Sequence, residues 1–111
     1  MYTITKQISG GKNEMIIVHD TFVCKPGNAS KLAKIFKEAM AKDPNLVHVM
    51  TDVTGQFNRV IMVSQYESLT AYENVWESMK NPTKEMQEAM KKMEGYQEMY
   101  LTGSRDIYKT W

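Results

Sequence analysis

The chain has 111 residues, of which 42% are hydrophobic and 24% are charged, and its formal net charge is +1. The length fits a single domain over residues 1–111, and the composition is typical of a globular protein rather than a disordered one. A net charge this close to zero provides no field that would attract nucleic acid or an anionic membrane, so we expect neither as a partner.

Cysteine usage and the start of the chain bear on compartment and cofactors. The only cysteine, Cys24, cannot form an internal disulfide, and no set of cysteines and histidines has zinc spacing. No apolar run has the length of a signal peptide or of a bilayer span. We therefore expect a cytoplasmic protein with no metal and no cofactor, in which Cys24 is structural.

The first half of the chain begins with a weakly alternating segment, residues 1–13, which predicts a loose arm or a short extra strand. A strand is predicted over residues 14–24, where four consecutive apolar residues, 15–18, indicate burial on both faces of a sheet. A helix over residues 29–42 follows, capped by Asn28 or Ser30. Its apolar positions form one stripe: Leu32, Ala33, Ile35, Phe36, Ala39 and Met40.

Residues 46–54 and 58–67 predict a hairpin around Gly55. If Thr54 pairs with Arg59, one face carries His48, Met50, Asp52, Ile61, Val63 and Gln65. The other face then carries Val47, Val49, Thr51, Val53, Val60, Met62, Ser64 and Tyr66. Helices can cover only one face, and the other would leave an apolar patch larger than soluble monomers tolerate. We therefore predict that a second copy covers it in a two-fold homodimer, a dimeric α+β barrel.

The second half predicts helices over residues 69–79 and 83–93, separated at Pro82, with Ser68 as the first N-cap. Apolar residues of the first helix share one face: Leu69, Tyr72, Trp76 and Met79. A last strand within residues 97–111, with a bulge at Gly103, completes a β-α-β-β-α-β order. Four of the ten methionines, Met79, Met86, Met90 and Met93, have helical spacing, which favours a core role over a ligand-binding methionine patch.

Several segments together resemble one known family. Residues 23–27, Val-Cys-Lys-Pro-Gly, with the helix behind them, resemble the strand–x–Pro–Gly–helix opening of NIPSNAP-like proteins. Residues 52–58, 67–73 and 103–108 resemble the second half of the same family, so the resemblance covers most of residues 14–111. It implies a ferredoxin-like monomer of the α+β class, with an antiparallel sheet and helices on one face, that pairs sheet to sheet.

The superfamily of dimeric α+β barrels also contains cofactor-free antibiotic-biosynthesis monooxygenases and haem-degrading enzymes. In a haem-degrading member the resemblance implies a histidine ligand on the second helical region. Residues 68–93 contain no histidine, which counts against haem oxygenation.

Eight polar or aromatic residues are candidates for a ligand site, each with a structural alternative: His19, His48, Asp52, Arg59, Gln65, Tyr66, Tyr72 and Trp76. The histidines lie on the first and second strands and are either structural or functional, as proton shuttles or, less favoured because two scattered histidines do not make a ligand set, as metal ligands. Asp52 and Arg59 flank the hairpin turn, where they form a cross-strand pair or bind a small polar ligand, with Gln65 on the same face. The aromatic residues either pack in the core or line a cavity.

Three functions remain open. The first is a homodimeric barrel that binds a small, largely apolar molecule in a cavity lined by Trp76, the tyrosines and His48. The second is a cofactor-independent monooxygenase in which His48 deprotonates the substrate. The third is an interaction module without a ligand. No glycine-rich phosphate loop is present, because Gly10-Gly11-Lys12 precedes a strand rather than a helix.

Overall fold

The computed structural model describes residues 14–111, so the predicted arm or strand over residues 1–13 lies outside the described residues. A 3₁₀ turn, Tyr96–Glu98, precedes the last strand. The elements follow in the order β1 (Ile16–Cys24), α1 (Ala29–Ala39), β2 (Leu46–Thr51), β3 (Arg59–Tyr66), α2 (Leu69–Ser78), α3 (Lys84–Lys92) and β4 (Tyr100–Lys109). The predicted element order is confirmed, with the second helical region divided into α2 and α3.

The four strands form one sheet in the order β2-β3-β1-β4, and all neighbouring strands are antiparallel. Helix α1 packs on β2 and β3, and α2 contacts β3 from the same layer. The fold is therefore the predicted ferredoxin-like α+β arrangement. The continuously apolar β1 occupies a central position, which explains why its sequence does not alternate.

The core lies between α1 and the sheet. Its buried cluster consists of Cys24, Leu32, Phe36 and Val60, and the α1 stripe supplies two of these residues as predicted. The ring of Phe36 lies 5.1 Å from that of Phe22 on β1 and 5.7 Å from that of Tyr96. Burial raises the pKa of the Cys24 thiol, in keeping with a structural role. This core fixes α1 on the sheet.

The hairpin register differs from the prediction by two residues. β2 ends at Thr51, which pairs with Val60, so the proposed pairing of Thr54 with Arg59 is wrong. A connection over residues 52–58 replaces the short turn. Because side chains alternate with a period of two, the shift preserves the predicted faces over residues 48–51, where His48 pairs with Val63 and Met50 with Ile61. Asp52 and Val53 lie beyond β2, and the pairing is irregular at Val47.

The bulge predicted at Gly103 is also misplaced. Pairing between β1 and β4 shifts after Val23–Thr102 to Cys24–Tyr100, which leaves Leu101 as the extra residue. The shift brings the ring of Tyr100 to 4.9 Å from that of Phe22. The bulge therefore extends the aromatic part of the core into β4.

Helix α2 packs less tightly than its sequence predicts. Ser68 caps it as expected, its Oγ accepting a hydrogen bond from the backbone N–H of Ala71 at 3.0 Å. The predicted apolar face is not buried, however, since no residue of α2 is buried and Leu69 and Trp76 are exposed. Among the larger contacts between elements of residues 14–111, α2 meets the sheet at β3 alone. The helix face of β4 is consequently open beside α2.

Candidate ligand site

Alternating side chains divide the sheet into two chemically different faces. On β1, Val18, Asp20 and Phe22 point to the side covered by helices, which we call the helix face. Ile17 and His19 point to the other side, which we call the open face. Residues paired across neighbouring strands lie on the same face of a sheet. The pairings therefore assign each residue of β2, β3 and β4 to the helix face or to the open face.

An ion pair occupies the middle of the helix face. Asp20 on β1 and Arg105 on β4 are cross-strand partners, and Arg105 Nε donates a hydrogen bond to Asp20 Oδ1. The side chain of Asp20 is 12% exposed and that of Arg105 is 44% exposed. A carboxylate so nearly buried in an apolar strand requires a partner, and Arg105 provides it.

The electrostatics of the pair keep the guanidinium charged. Burial alone would lower the pKa of Arg105, but the hydrogen bond that it donates to Asp20, the negative charge of that carboxylate and the hydroxyl of Tyr72 raise it above its ordinary value. A guanidinium has five N–H donors, and the bond to Asp20 through Nε uses one of them. Arg105 is therefore a fixed cation with donors available to a ligand.

Aromatic side chains surround this cation. Arg105 Cζ lies 4.9 Å from the centre of the Trp76 ring, a cation–π contact. The Tyr72 ring lies 6.2 Å from that of Trp76 and 5.1 Å from that of Tyr66. We refer to Asp20, Tyr66, Tyr72, Trp76 and Arg105 as the aromatic–arginine cluster.

The aromatic–arginine cluster is accessible from solvent beside α2. The principal contacts of β4 are with β1 and the 3₁₀ turn, so its helix-face residue Ile107 remains 43% exposed. Burial and the nearby charge of Asp43 raise the pKa of Tyr66, so its phenol is neutral and can donate a hydrogen bond. The arrangement combines aromatic surface, one cation and a phenol donor.

The structure separates the residues that the sequence grouped into one cavity. Tyr66, Tyr72 and Trp76 meet on the helix face, whereas His48 lies on the open face with Val63. The predicted cavity lined by Trp76, the tyrosines and His48 is therefore wrong, because the sheet stands between them.

The open face carries the remaining strand candidates. A row across the sheet joins His48, Val63, His19 and Asp106 through successive cross-strand pairs. The ring of His19 packs edge-on against Tyr108, with 5.2 Å between the ring centres. Gln65 pairs with Ile17 on the same face. Two histidine side chains and one aspartate thus lie among apolar neighbours.

Asp52 and Arg59 lie at a third place, the end of the hairpin. Asp52 Oδ2 accepts from Arg59 Nε at 3.0 Å and from the backbone N–H of Phe57 at 2.9 Å, and Oδ1 accepts from the backbone N–H of Arg59 at 3.1 Å. Gly55 has φ +119°, and a Cβ there would lie 2.5 Å from Arg59 Nη2. The pair therefore closes the 52–58 loop, as the structural alternative predicted.

Replacing Asp52 with Asn should lower the thermal midpoint at pH 7, with no comparable loss at pH 3. Desolvation raises the pKa of Asp52, but the hydrogen bonds from Arg59 and Phe57 and the charge of Arg59 outweigh it and lower the pKa below 3.8. A lowered folded-state pKa contributes stability above the unfolded pKa and loses it as pH falls through the folded value. Thermal denaturation at both pH values measures the difference.

The exposed Glu67→Gln substitution is the matched control, and it should leave the midpoint unchanged at both pH values. Equal midpoints for Asp52→Asn and the unmodified protein at pH 7 would show that the loop does not depend on this carboxylate.

The sequence did not single out Asp20 or Arg105, which are 85 residues apart. One signal was present: Asp20 lies in the middle of a strand with apolar residues at both ends, and the chain has two arginines that could pair with it. Within residues 14–111, no group of three or more His, Cys, Asp or Glu side chains could hold a metal ion. No helix in that range is long and apolar enough to cross a membrane.

The fold is that of a ferredoxin-like α+β protein, and the aromatic–arginine cluster lies on its helix face. Solved structures show which proteins of this class the chain resembles. A NIPSNAP-like domain protein from Burkholderia xenovorans superposes with a TM-score of 0.67 at 19% identity, covering 84% of this chain and 82% of its own. A NIPSNAP family protein from Agrobacterium tumefaciens gives 0.65 at 15% identity, covering 85% and 90%. The resemblance to NIPSNAP-like proteins is thereby confirmed as a likeness of fold.

A more distant structure connects the fold to a monooxygenase. A proposed antibiotic biosynthesis monooxygenase from Chloroflexus aurantiacus superposes with a TM-score of 0.56 at 11% identity, covering 86% of this chain and 90% of its own. No protein-family model and no curated protein matches the sequence. The comparisons therefore show the fold, and they leave the chemistry to the residues.

Proposed function

We propose that the protein is a homodimer that binds a small, largely apolar molecule, and that the aromatic–arginine cluster is its binding site. The observation that carries the proposal is the half-exposed Arg105, which Asp20 holds on the helix face and Trp76 covers. Ligand sites are typically apolar with a few placed polar groups, and this cluster has that composition.

The residues of the cluster specify the ligand class. The rings of Trp76, Tyr72 and Tyr66 favour a planar aromatic body, and the guanidinium of Arg105 favours a carboxylate or phenolate oxygen. Asp20 already neutralises much of the positive charge, which disfavours ligands with several negative charges. An aromatic molecule with one acidic group is therefore the best match.

The open face supports the homodimer. No helix within residues 14–111 packs on it, and four of its apolar residues are partly or largely exposed: Ile17, Met50, Ile61 and Tyr108. In an isologous interface a surface meets itself, so like charges would repel. This face carries Asp106 and, through its pairing with Val23, Arg59, whose guanidinium is bound to Asp52, so no excess of one charge opposes self-association.

The size of the open face is adequate for a dimer. From strand geometry it measures about 30 Å along the strands and about 19 Å across them. The product, about 570 Å², is the plane of the sheet alone, and the projecting side chains bring the buried surface nearer to the roughly 800 Å² per partner of stable interfaces. A second copy is therefore the occupant that we propose for this face.

Binding of 2-naphthoate, measured by calorimetry, tests the proposed site. We expect Trp76→Leu and Arg105→Gln to weaken binding by about ten-fold or more, since each removes a principal contact. Trp76→Leu leaves the Asp20–Arg105 pair in place and so separates loss of binding from loss of folding. Arg59→Gln, in the hairpin loop, is the matched control and should bind normally.

Unchanged binding by both cluster variants would overturn the site. Failure of the unmodified protein to bind aromatic acids would overturn the binding function and favour an interaction module without a ligand. Binding of neutral 2-methylnaphthalene as tightly as 2-naphthoate would show that Arg105 does not select the ligand.

A cofactor-independent monooxygenase is the second candidate, and the fold likeness to the Chloroflexus aurantiacus protein favours it. Such a reaction requires a group that deprotonates the substrate. His48 lies on the opposite face from the cluster, Asp20 is bound to Arg105, and the pKa of Tyr66 is raised. The cluster thus lacks a suitable base, and binding without turnover is the better-supported function.

A further inference from the structure

A second concave site lies between the end of α1, α2 and α3, on a different part of the helical layer from the aromatic–arginine cluster. It is a groove of about 440 Å³, and none of the five cluster residues lines it. Half of the ten methionines of the chain line the groove: Met40, Met79, Met86, Met90 and Met93. We call this site the methionine groove.

Methionine is the only large apolar side chain in the lining. The other apolar residues there are Ala39, Ala41, Pro44, Val75 and Ala89, and no leucine, isoleucine or aromatic residue of the described range contributes. A methionine that fills a gap in a core is buried. Here Met79 and Met86 are half-buried and Met90 is 44% exposed. None of these three belongs to the buried core cluster, and all three line the groove.

Three elements bring the thioethers to the groove. Met86, Met90 and Met93 follow one another at i, i+4 and i+7, which places them on one face of α3 and its end, a turn apart. Met40 ends α1 and Met79 ends α2. Sulfur atoms from separate elements can therefore approach a common ligand.

The charged residues of the lining favour a positive ligand. Four carboxylates, those of Glu38, Asp43, Glu85 and Glu88, outnumber the two lysines, Lys42 and Lys92. The Lys42–Glu85 pair spans 3.9 Å between exposed side chains, so it contributes little and is easily displaced. An excess of negative charge around neutral sulfur ligands attracts a cation.

We propose that the methionine groove binds a soft monovalent metal ion, Cu(I), through its thioethers. Thioether sulfur is a soft ligand that selects Cu(I) over hard divalent ions, which prefer oxygen. The unbranched methionine side chains have three rotatable bonds, so they can turn onto an ion in a groove of this size. The expectation of no metal, which rested on cysteine and histidine spacing, did not consider thioethers.

Titration with Ag(I), a redox-inert probe of Cu(I) sites, tests the proposal. The protein is labelled with ¹³C at the methionine methyl groups, and Cys24→Ala is present throughout to remove the only thiol. We expect saturable binding in which the methyl signals of the groove methionines shift, while that of Met50, on the open face, does not.

A triple variant with Met79, Met86 and Met90 replaced by Leu keeps the apolar volume and removes three sulfur atoms. It should bind Ag(I) about ten-fold more weakly or worse. The matched control replaces Met15, Met50 and Met62 by Leu and should bind normally. Circular dichroism and thermal midpoints of both variants establish that they are folded.

Any one of three results would overturn the proposal. The first is that the methyl signals of the groove methionines do not shift with Ag(I). The second is that the triple Leu variant binds Ag(I) as tightly as the control, and the third is that anaerobic Cu(I) does not compete with Ag(I). Binding of an apolar dye equally by both variants, without an Ag(I) shift, would identify the groove as an organic site instead.

Discussion

Replacement of Phe36 with Ala should lower the free energy of unfolding by about 3–5 kcal/mol, the usual loss for a fully buried phenylalanine. Phe36 is 1% exposed and its ring packs against those of Phe22 and Tyr96. It therefore connects α1 to β1 and to the turn before β4. Urea denaturation measures the loss, with both proteins at one concentration because the stability of the proposed homodimer would depend on concentration.

Ile35, the half-buried neighbour of Phe36 on α1, provides the control. Ile35→Ala should cost less than half as much as Phe36→Ala, since part of its side chain stays in water. A loss below about 1 kcal/mol for Phe36→Ala would contradict its central place in the core.

Replacement of Ile61 with Asp should convert the proposed homodimer to a single chain at micromolar concentration. Ile61 lies on the open face between Thr21 and Met50. A two-fold interface would bury two copies of the new carboxylate near each other, and every 1.4 kcal/mol of this cost weakens association about ten-fold. Sedimentation equilibrium gives the mass.

Ile107→Asp is the matched control, because it places the same charge on an exposed residue of the helix face. That variant should remain a dimer. A one-chain mass for the unmodified protein would overturn the homodimer, and an undiminished dimer for Ile61→Asp would place the interface elsewhere.

The architecture was predictable because it depends on patterns within short segments. The apolar run of β1 indicated a central strand, and the stripe containing Leu32 and Phe36 indicated a helix on the sheet. The hairpin faces were also predicted correctly, although the pairing of Thr54 with Arg59 was not. A register error of two residues keeps each side chain on its predicted face, because side chains alternate with a period of two. The pairing itself could not be predicted, because the 52–58 loop is shaped by hydrogen bonds that Asp52 accepts.

The candidate site was only half predictable. The sequence proposed Tyr66, Tyr72 and Trp76, but it grouped them with His48, because spacing along the chain does not show on which side of a sheet a helix packs. The Asp20–Arg105 pair depends on β1 lying beside β4, a contact between distant segments. The incomplete burial of α2 likewise results from the geometry of the whole layer rather than from its own amphipathic pattern.

The weak attachment of α2 has a kinetic consequence for ligand entry. A helix without buried residues opens at a small free-energy cost compared with unfolding of the whole protein. Its amide hydrogens should exchange with solvent faster than those of α1, whose Leu32 and Phe36 are fixed in the core. Trp76 and Tyr72 move with α2, so each opening would widen the already accessible entrance to Arg105, and a ligand would enter more readily during these openings.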